Sequence, residues 1–160
     1  QLIRVALRRS VDPVRELSYR LIIQEVPQAA SPDFTGLQVA LKLSVPVFVA
    51  PTAPATAQVT WAATRGADGR LSVTARNDGA AHARIQRFAL KTADGTATVL
   101  EQPALSYVLA GAVRHWTFDD NNNTRLNAQS TASPGKAGPY RLEGTTDRGS
   151  FATELTLTAD

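Results

Sequence analysis

Side chains that could carry catalysis or bind a metal are few and scattered in this sequence. It contains two histidines and no cysteine, which excludes thiolate chemistry and a disulfide framework. His82 and His115 do not have the spacing by which two histidines of one element share a metal, and we expect both at the surface or the core edge. Residues 119–123, Asp-Asp-Asn-Asn-Asn, offer oxygen ligands for calcium but lack the glycine and distal glutamate of a calcium loop. The sequence therefore predicts no catalytic centre, no cofactor and no metal site, in a protein that is not an enzyme.

The most informative pattern is an alternation of aliphatic residues in the stretch 37–49. Its odd positions are Leu37, Val39, Leu41, Leu43, Val45, Val47 and Val49. This pattern predicts a β-strand with one apolar face, spanning roughly 40 Å at about 3.3 Å per residue. The even positions include Lys42, Ser44 and Pro46, which suit a solvated edge strand open to pairing with a partner. A long core strand without a partner has the same periodicity and is the commoner case, so both interpretations remain open.

The rest of the chain consists of short strand patterns separated by turn signals such as Asn77-Asp78-Gly79 and Asp94-Gly95. We predict strands at residues 2–8, 19–26 and 37–49, and then at 58–63, 71–77, 83–90, 96–100, 113–118, 140–146 and 151–158. Residues 51–54, Pro-Thr-Ala-Pro, predict a short stiff linker. The seven later strands predict an immunoglobulin-like β-sandwich. Its predicted core consists of Trp61, Leu71, Val73, Ile85, Phe88, Leu90, Trp116, Phe118, Leu142, Phe151, Leu155 and Leu157.

Composition excludes several classes of protein. The chain has 160 residues and a net charge of +3, and its arginines are dispersed along the sequence. Dispersed charge argues against a nucleic-acid-binding stripe. No apolar run reaches the length that spans a membrane. We therefore expect neither a nucleic-acid partner nor insertion into a membrane.

Several motifs in combination resemble one family. Residues 18–27, SYRLIIQEVP, are similar to a strand that ends in Glu-[Ile/Val]-Pro, and the alternating strand closes with Val47-Phe48-Val49-Ala50-Pro51. Asn77-Asp78-Gly79, followed by His82 and Ile85, is similar to a turn and strand of the second domain. The chain thus resembles the periplasmic chaperones of pilus assembly by the chaperone–usher pathway. Residues 146–149, Thr-Asp-Arg-Gly, fit the divergent, spore-coat-like or archaic branch of that family.

The resemblance implies an all-β protein of two immunoglobulin-like domains. Residues 1–51 would be the last three strands of an incomplete first domain, because residues 2–8 resemble its fifth strand, and residues 54–160 would be the second domain. We therefore expect an N-terminally truncated fragment or partial gene model. The face left without an opposing sheet would be exposed to water.

The resemblance also implies a function. Family members work in the periplasm, where they stabilise pilin subunits by donating a β-strand, without ATP, before the subunits pass to an outer-membrane usher. The positions that match the donor residues are Leu37, Val39, Leu41 and Leu43, whereas Val45 and Val47 are expected to remain in the chaperone's own core.

One departure concerns the cation that anchors the carboxylate at the pilin's C-terminus. The best-known branch uses an arginine of the first strand and a lysine of the donor strand. Here the first strand is missing, and Pro46 occupies the place of the lysine. Lys42 lies on the same face of the strand and is the nearest substitute. Arg20 and Arg4 are the other candidates, although a solvated surface lysine is the commoner role for a residue such as Lys42.

A different class of function is a non-catalytic module that binds a sugar or a cell-surface ligand. Trp61, Trp116 and Tyr107 would then form an exposed aromatic platform. Burial of these aromatic residues together with an open edge at residues 37–41 would favour the chaperone over the binding module.

Overall fold

The structure is a computed structural model that describes residues 2–8, 13–27, 35–95, 98–118 and 139–159. Within these ranges it contains nine β-strands and no helix, which confirms the predicted all-β class. The strands are β1 (Leu17–Gln24), β2 (Lys42–Val49), β3 (Val59–Arg65), β4 (Leu71–Asn77), β5 (Ala83–Thr92), β6 (Thr98–Val108), β7 (Val113–Phe118), β8 (Pro139–Thr146) and β9 (Gly149–Ala159). The candidate calcium ligands at residues 119–123 lie outside the described residues.

Strands β1 and β2 form a two-stranded antiparallel sheet, called the first sheet below. Its register runs from Leu17 opposite Val49 to Gln24 opposite Lys42. Because opposite residues share a face, the odd-numbered residues of both strands form one apolar face. Tyr19, Leu43 and Val45 on this face are exposed, so none of the described strands packs over this part of the face.

The first sheet differs from the prediction in its strand limits. Of the three strands expected in residues 1–51, the described residues form two, because residues 2–8 form no strand. The alternating strand predicted to begin at residue 37 begins at Lys42. A strand needs a neighbour to satisfy its backbone groups. The neighbour β1 ends at Gln24, just before Pro27, and the ladder ends with it.

The other seven strands, β3 to β9, form the predicted β-sandwich. Their hydrogen-bonded order is β6-β5-β8-β9-β3-β4-β7. One layer is β3-β4-β7 and the other is β6-β5-β8-β9, and the layers are joined where β3 and β9 run parallel. That parallel pairing involves only residues 63–65 and 157–159, and a cavity of about 530 Å³ lies between the diverging halves of the two strands.

The sandwich core confirms the predicted core residues. Ile85, Phe88, Leu90 and Leu142 are fully buried, whereas the predicted Trp61, Trp116, Phe118 and Phe151 are partly buried and pack against them. Aromatic contacts join the two layers: the Phe88 ring centroid lies 5.5 Å from that of Trp61 and 5.1 Å from that of Trp116. The sequence did not indicate Val99 and Val108 of β6 or Tyr140 of β8 as core residues. The strand predicted at residues 96–100 extends in the structure to Val108.

A buried asparagine fixes the turn between β4 and β5. The side-chain oxygen of Asn77 accepts hydrogen bonds from the backbone N–H groups of Gln58 and Gly79, both at 3.0 Å. Its amide nitrogen donates to the carbonyls of Ala81 at 2.8 Å and Val108 at 3.0 Å. All of its hydrogen-bonding capacity is therefore used inside the protein. At Gly79 a Cβ atom would collide with the backbone at Thr56. The turn therefore requires glycine, because no larger residue fits there.

The first sheet contacts the sandwich at the β4–β5 and β6–β7 turns. The Glu16 N–H donates to the carbonyl of Ala80 at 2.8 Å. Gly111 in the other turn has a φ of 73° and lies against the guanidinium of Arg15. A residue with a side chain would be strained in this left-handed backbone conformation, and its Cβ atom would occupy the space of Arg15. Glycine therefore allows the first sheet and the sandwich to approach closely.

Candidate functional site

An exposed aliphatic segment continues from the N-terminal end of β2. We call residues 37–45 the apolar segment. The exposed fractions of its aliphatic side chains fall steadily along it: Leu37 88%, Val39 72%, Leu41 56%, Leu43 43% and Val45 41%. Large aliphatic side chains exposed in a row are uncommon on a monomeric protein and indicate a contact surface.

The geometry of this segment follows from the end of the β1–β2 ladder. Beyond Lys42 the backbone is linked to Glu25, whose N–H donates to the Leu41 carbonyl at 2.8 Å. The Leu41 N–H in turn donates to a carboxylate oxygen of Glu25 at 3.1 Å. Residues 37–40 lie past the end of β1. The apolar segment is thus attached at one end to a regular sheet and extends from it.

A cleft separates the first sheet from the sandwich. Its volume is about 380 Å³. It is lined on one side by Ser18, Tyr19, Arg20, Pro46 and Phe48, and on the other by Leu105, Ser106, Tyr107, Leu109 and Arg114. The cleft therefore combines apolar and aromatic walls with hydroxyl groups and one arginine from each side, a composition that suits an anionic end of an otherwise apolar ligand.

Neighbouring side chains orient the two arginines of the cleft. A guanidinium nitrogen of Arg20 donates to the Ser44 hydroxyl at 3.0 Å across the β1–β2 pair. The Arg114 guanidinium carbon lies 5.6 Å from the centroid of the Trp116 ring, within the range of a cation–π contact. Each guanidinium has five N–H donors, and these contacts leave several of them for an anion.

The three candidate anchors from the sequence lie in different places. Arg20 lines the cleft. Lys42 is opposite Gln24 at the far end of the sheet, four residues from Pro46 and hence about 13 Å away along the strand. Arg4 lies in the 2–8 segment, which forms no strand. The structure adds Arg114 to the candidate anchors. The sequence did not indicate this residue, because the pattern of a single strand does not show that this end of β7 faces the first sheet.

The aromatic residues of the suggested sugar-binding platform do not form one surface. The rings of Trp61 and Trp116 stack with centroids 5.8 Å apart inside the sandwich, and Trp61 also stacks on Phe151 at 5.2 Å. Tyr107 belongs to the cleft instead. Both tryptophans contribute to the core, while the edge at residues 37–41 is open.

The two histidines have separate environments. His115 is exposed on β7, and its Nδ1 lies 3.0 Å from the Thr74 hydroxyl. His82 lies between the first sheet and the sandwich, with Nδ1 2.6 Å from a carboxylate oxygen of Glu16. Among the described residues, no group of three or more histidines and acidic residues is placed to hold a metal ion. No helix in these ranges is long and apolar enough to cross a membrane.

A family model matches the part of the chain that contains the apolar segment. Residues 1–55 match the family model of the pili and flagellar-assembly chaperone, PapD N-terminal domain. For these residues the predicted resemblance to pilus-assembly chaperones is confirmed, while the divergent branch and the N-terminal truncation stay predictions. Chaperones of this family are a non-enzymatic class. The match includes both strands of the first sheet and all of the apolar segment.

Solved structures of fimbrial chaperones are similar to the chain at low identity. One is the class 5 fimbriae chaperone CfaA, with 10% identity, a TM-score of 0.46, and coverage of 90% of this chain and 60% of that chain. Another is a chaperone–tip adhesin complex of CFA/I fimbriae biogenesis, with 8% identity, a TM-score of 0.45 and the same coverage. The chain thus spans 60% of the length of these solved chains. No curated protein matches the chain significantly.

Proposed function

We propose that the chain is part of a periplasmic chaperone that binds pilin subunits by donating residues 37–43 of the apolar segment as a β-strand during chaperone–usher pilus assembly. The observation that carries the proposal is the row of exposed, alternating aliphatic side chains from Leu37 to Val45. The family match of residues 1–55 supports the same role. The proposed partners are pilin subunits and the outer-membrane usher.

The physical basis of donation is the incomplete sandwich of a pilin. Such a subunit exposes an apolar groove and an open strand edge, both of which promote aggregation. A donated strand satisfies the backbone groups of the edge, and every second side chain fills the groove. Leu37, Val39, Leu41 and Leu43 have the required spacing. Leu43 lies near the end of the β1–β2 ladder, opposite Ile23. Val45 and Val47 lie further inside the ladder, opposite Leu21 and Tyr19, and we assign these two to the chaperone's own sheet.

We further propose that the cleft binds the carboxylate at the pilin's C-terminus. Arg20 and Arg114 supply the cations from its two sides, which compensates for the proline at position 46. A carboxylate held by two guanidinium groups gains charge-assisted hydrogen bonds with defined geometry. Lys42 and Arg4 are further candidates from the sequence, but neither lines the cleft.

The test of strand donation compares the two faces of the apolar segment. In complex with a cognate pilin, Val39→Asp would place an unpaired charge in an apolar groove and weaken the complex by several kcal/mol. Gln38→Glu adds the same charge to the adjacent residue on the other face and should change the complex by less than about 1 kcal/mol. Co-purification of the pilin with each variant, followed by titration, measures the difference. Equal losses for both variants would refute donation by this face.

A further inference from the structure

The open edge of β2 is interrupted by Pro46. Among the described strands, β2 has β1 as its only neighbour, so its other edge faces away from the first sheet. The Glu25 N–H donates to the Leu41 carbonyl at 2.8 Å, and hydrogen-bonded pairs of an antiparallel ladder recur at every second residue. The odd-numbered residues of β2 therefore bond to β1, and the even-numbered residues direct their backbone groups to the open edge.

Pro46 removes one donor from this open edge. It lies opposite Arg20 in the ladder, a pair without hydrogen bonds between the two strands, so the first sheet loses no hydrogen bond through the proline. The N–H groups that β2 directs to the open edge belong to Lys42, Ser44 and Phe48, with a gap at position 46. A strand that pairs with this edge finds a donor at Ser44 and none for its next carbonyl.

The exposure of the side chains does not set the limit of a donated strand. Leu43 is 43% exposed and Val45 is 41% exposed, so a partner's groove would meet two nearly equal side chains. A slip of the pairing by two residues keeps every side chain on its own face, and alternation alone therefore leaves the register open. The backbone distinguishes the two registers, because the donors of the open edge stop at Pro46.

We propose that Pro46 is a register stop, a residue that ends the ladder between β2 and a pilin strand at Ser44. The inference rests on the proposed function, strand donation to a pilin, and adds the residue that determines its register. With the stop in place, the side chains that enter the pilin's groove run from Leu37 to Leu43. In a register slipped by two residues they would run from Val39 to Val45.

The physical reason is a lost hydrogen bond in the slipped register. A pilin carbonyl placed against Pro46 would be covered by the new ladder without a donor, which disfavours that register by about fivefold or more. Pro46 also lines the cleft between the first sheet and the sandwich. The pilin strand therefore ends its pairing next to the cleft, so the proline and the cleft act at the same end of the ladder.

Disulfide cross-linking of a complex with a cognate pilin reads the register directly. The chain has no cysteine, so Lys42→Cys supplies a single thiol at an exposed site of β2. The pilin carries one introduced cysteine at each position of its open-edge strand in turn. With Pro46 present, one pilin position should dominate. Pro46→Ala restores the donor, and the share of product two residues away should rise about fivefold or more.

A matched pair of substitutions at Ser44 tests the stop from the other direction. Ser44→Pro removes the last donor before Pro46, whereas Ser44→Ala keeps that donor, and both variants lose the hydrogen bond from Arg20. Ser44→Pro should therefore bind the pilin about fivefold or more weakly than Ser44→Ala does. Far-ultraviolet circular dichroism checks that both variants keep their strands. Equal affinities of the two folded variants would overturn the role of the open-edge donors.

A pilin with a C-terminal amide separates the stop from the proposed anion site. It should bind more weakly but keep the same dominant cross-link to the Lys42→Cys protein, because the proline sets the register. Loss of that dominant position on amidation, with no change in Pro46→Ala, would overturn the stop and assign the register to the carboxylate. Absence of any cross-link, with or without Pro46, would instead refute strand donation itself.

Discussion

Single side chains in this protein have roles that depend on their depth. Asn77 is fully buried and makes four hydrogen bonds to backbone groups of four residues. Its neighbour Asp78 is exposed and pairs with Arg76 at 2.8 Å. The two residues are adjacent and nearly equal in size, so they allow the cost of one chemical change to be compared at two depths.

Asn77→Asp should destabilise the sandwich strongly. The new carboxylate can still accept from Gln58 and Gly79, but it has no donor for the carbonyls of Ala81 and Val108 and would be a buried charge beside them. We expect a loss of about 2–4 kcal/mol in the free energy of unfolding at neutral pH. Asp78→Asn makes the reverse change at the surface and should cost less than about 1 kcal/mol. Urea unfolding followed by tryptophan fluorescence measures both, and similar losses would contradict the role of Asn77.

The proposed anchor predicts a difference among three cations. Arg20→Ala should weaken binding of a pilin that has a free C-terminal carboxylate by about ten- to a hundredfold, the value of a charge-assisted hydrogen bond. The same variant should bind the amidated pilin nearly as the parent does. Arg114→Ala should behave similarly, and Lys42→Ala should change neither affinity by more than about twofold. A loss in Lys42→Ala that is specific to the carboxylate would place the anchor at the other end of the sheet.

At the scale of strands, the best predictions came from segments that are paired along their whole length. The limits of β4 and β7, which pair with each other, were predicted to the residue, because alternating residues and turn signals at both ends agree with their pairing. The error was largest for segments that form no strand, residues 37–41 and 2–8. An alternating sequence favours a β-strand, but the strand forms only where a neighbouring strand accepts and donates its backbone hydrogen bonds. The sequence of one segment does not show where the neighbouring strand ends.

The candidate site divides in the same way. The apolar segment was predictable because its signal is local periodicity. The sequence did not predict that Arg20 and Arg114 line one cleft, or that Glu16 contacts His82. Each of these contacts brings together residues that are more than sixty positions apart, and no local pattern marks them. Asn77 was recognised only as a turn residue. Its four hydrogen bonds come from the sandwich as a whole.

Strand β8 contains an acidic residue between two cations, which gives a prediction about pH. Glu143 accepts from the Lys91 ammonium at 2.7 Å and lies 2.9 Å from the Arg141 guanidinium. The hydrogen bond from Lys91, followed by the nearby positive charges, lowers the pKa of Glu143 in the folded state. Because the pKa of Glu143 is lower in the folded state, its ionised carboxylate stabilises the fold at pH values above its unfolded-state pKa. This stabilisation is lost as the pH falls through the folded-state pKa.

Glu143→Gln should therefore have a lower melting temperature than the parent at neutral pH, and this difference should disappear at strongly acid pH. Melting curves from about pH 7 down to about pH 2 follow the change. The difference at neutral pH should also shrink in high salt, because these groups are partly exposed and screened. If the difference in melting temperature between the parent and Glu143→Gln grew as the pH fell, the ion pairs of Glu143 would destabilise the fold, contrary to this prediction.

At the scale of the whole molecule, the two sheets should differ in stability. The sandwich has two layers around a continuous core, whereas one face of the first sheet is exposed at Tyr19, Leu43 and Val45. Hydrogen exchange should show strong protection in β4 and β5 and weak protection in β1 and in residues 2–8. Equal protection in both parts would contradict the interpretation that the exposed face of the first sheet is open to water. Addition of a cognate pilin should increase protection in residues 37–41 first.

The parallel contact between β3 and β9 has a consequence for biosynthesis. It joins residues 63–65 to residues 157–159, so more than ninety residues must be synthesised between the two halves of this contact. Until the second half has left the ribosome, the layer β3-β4-β7 cannot be linked to its partner along that edge, and its aromatic residues remain accessible to other nascent chains. Contacts of such long sequence separation form late and slowly. A protein proposed to protect unfinished sandwiches thus passes through an unfinished sandwich of its own, for as long as translation of β9 is incomplete.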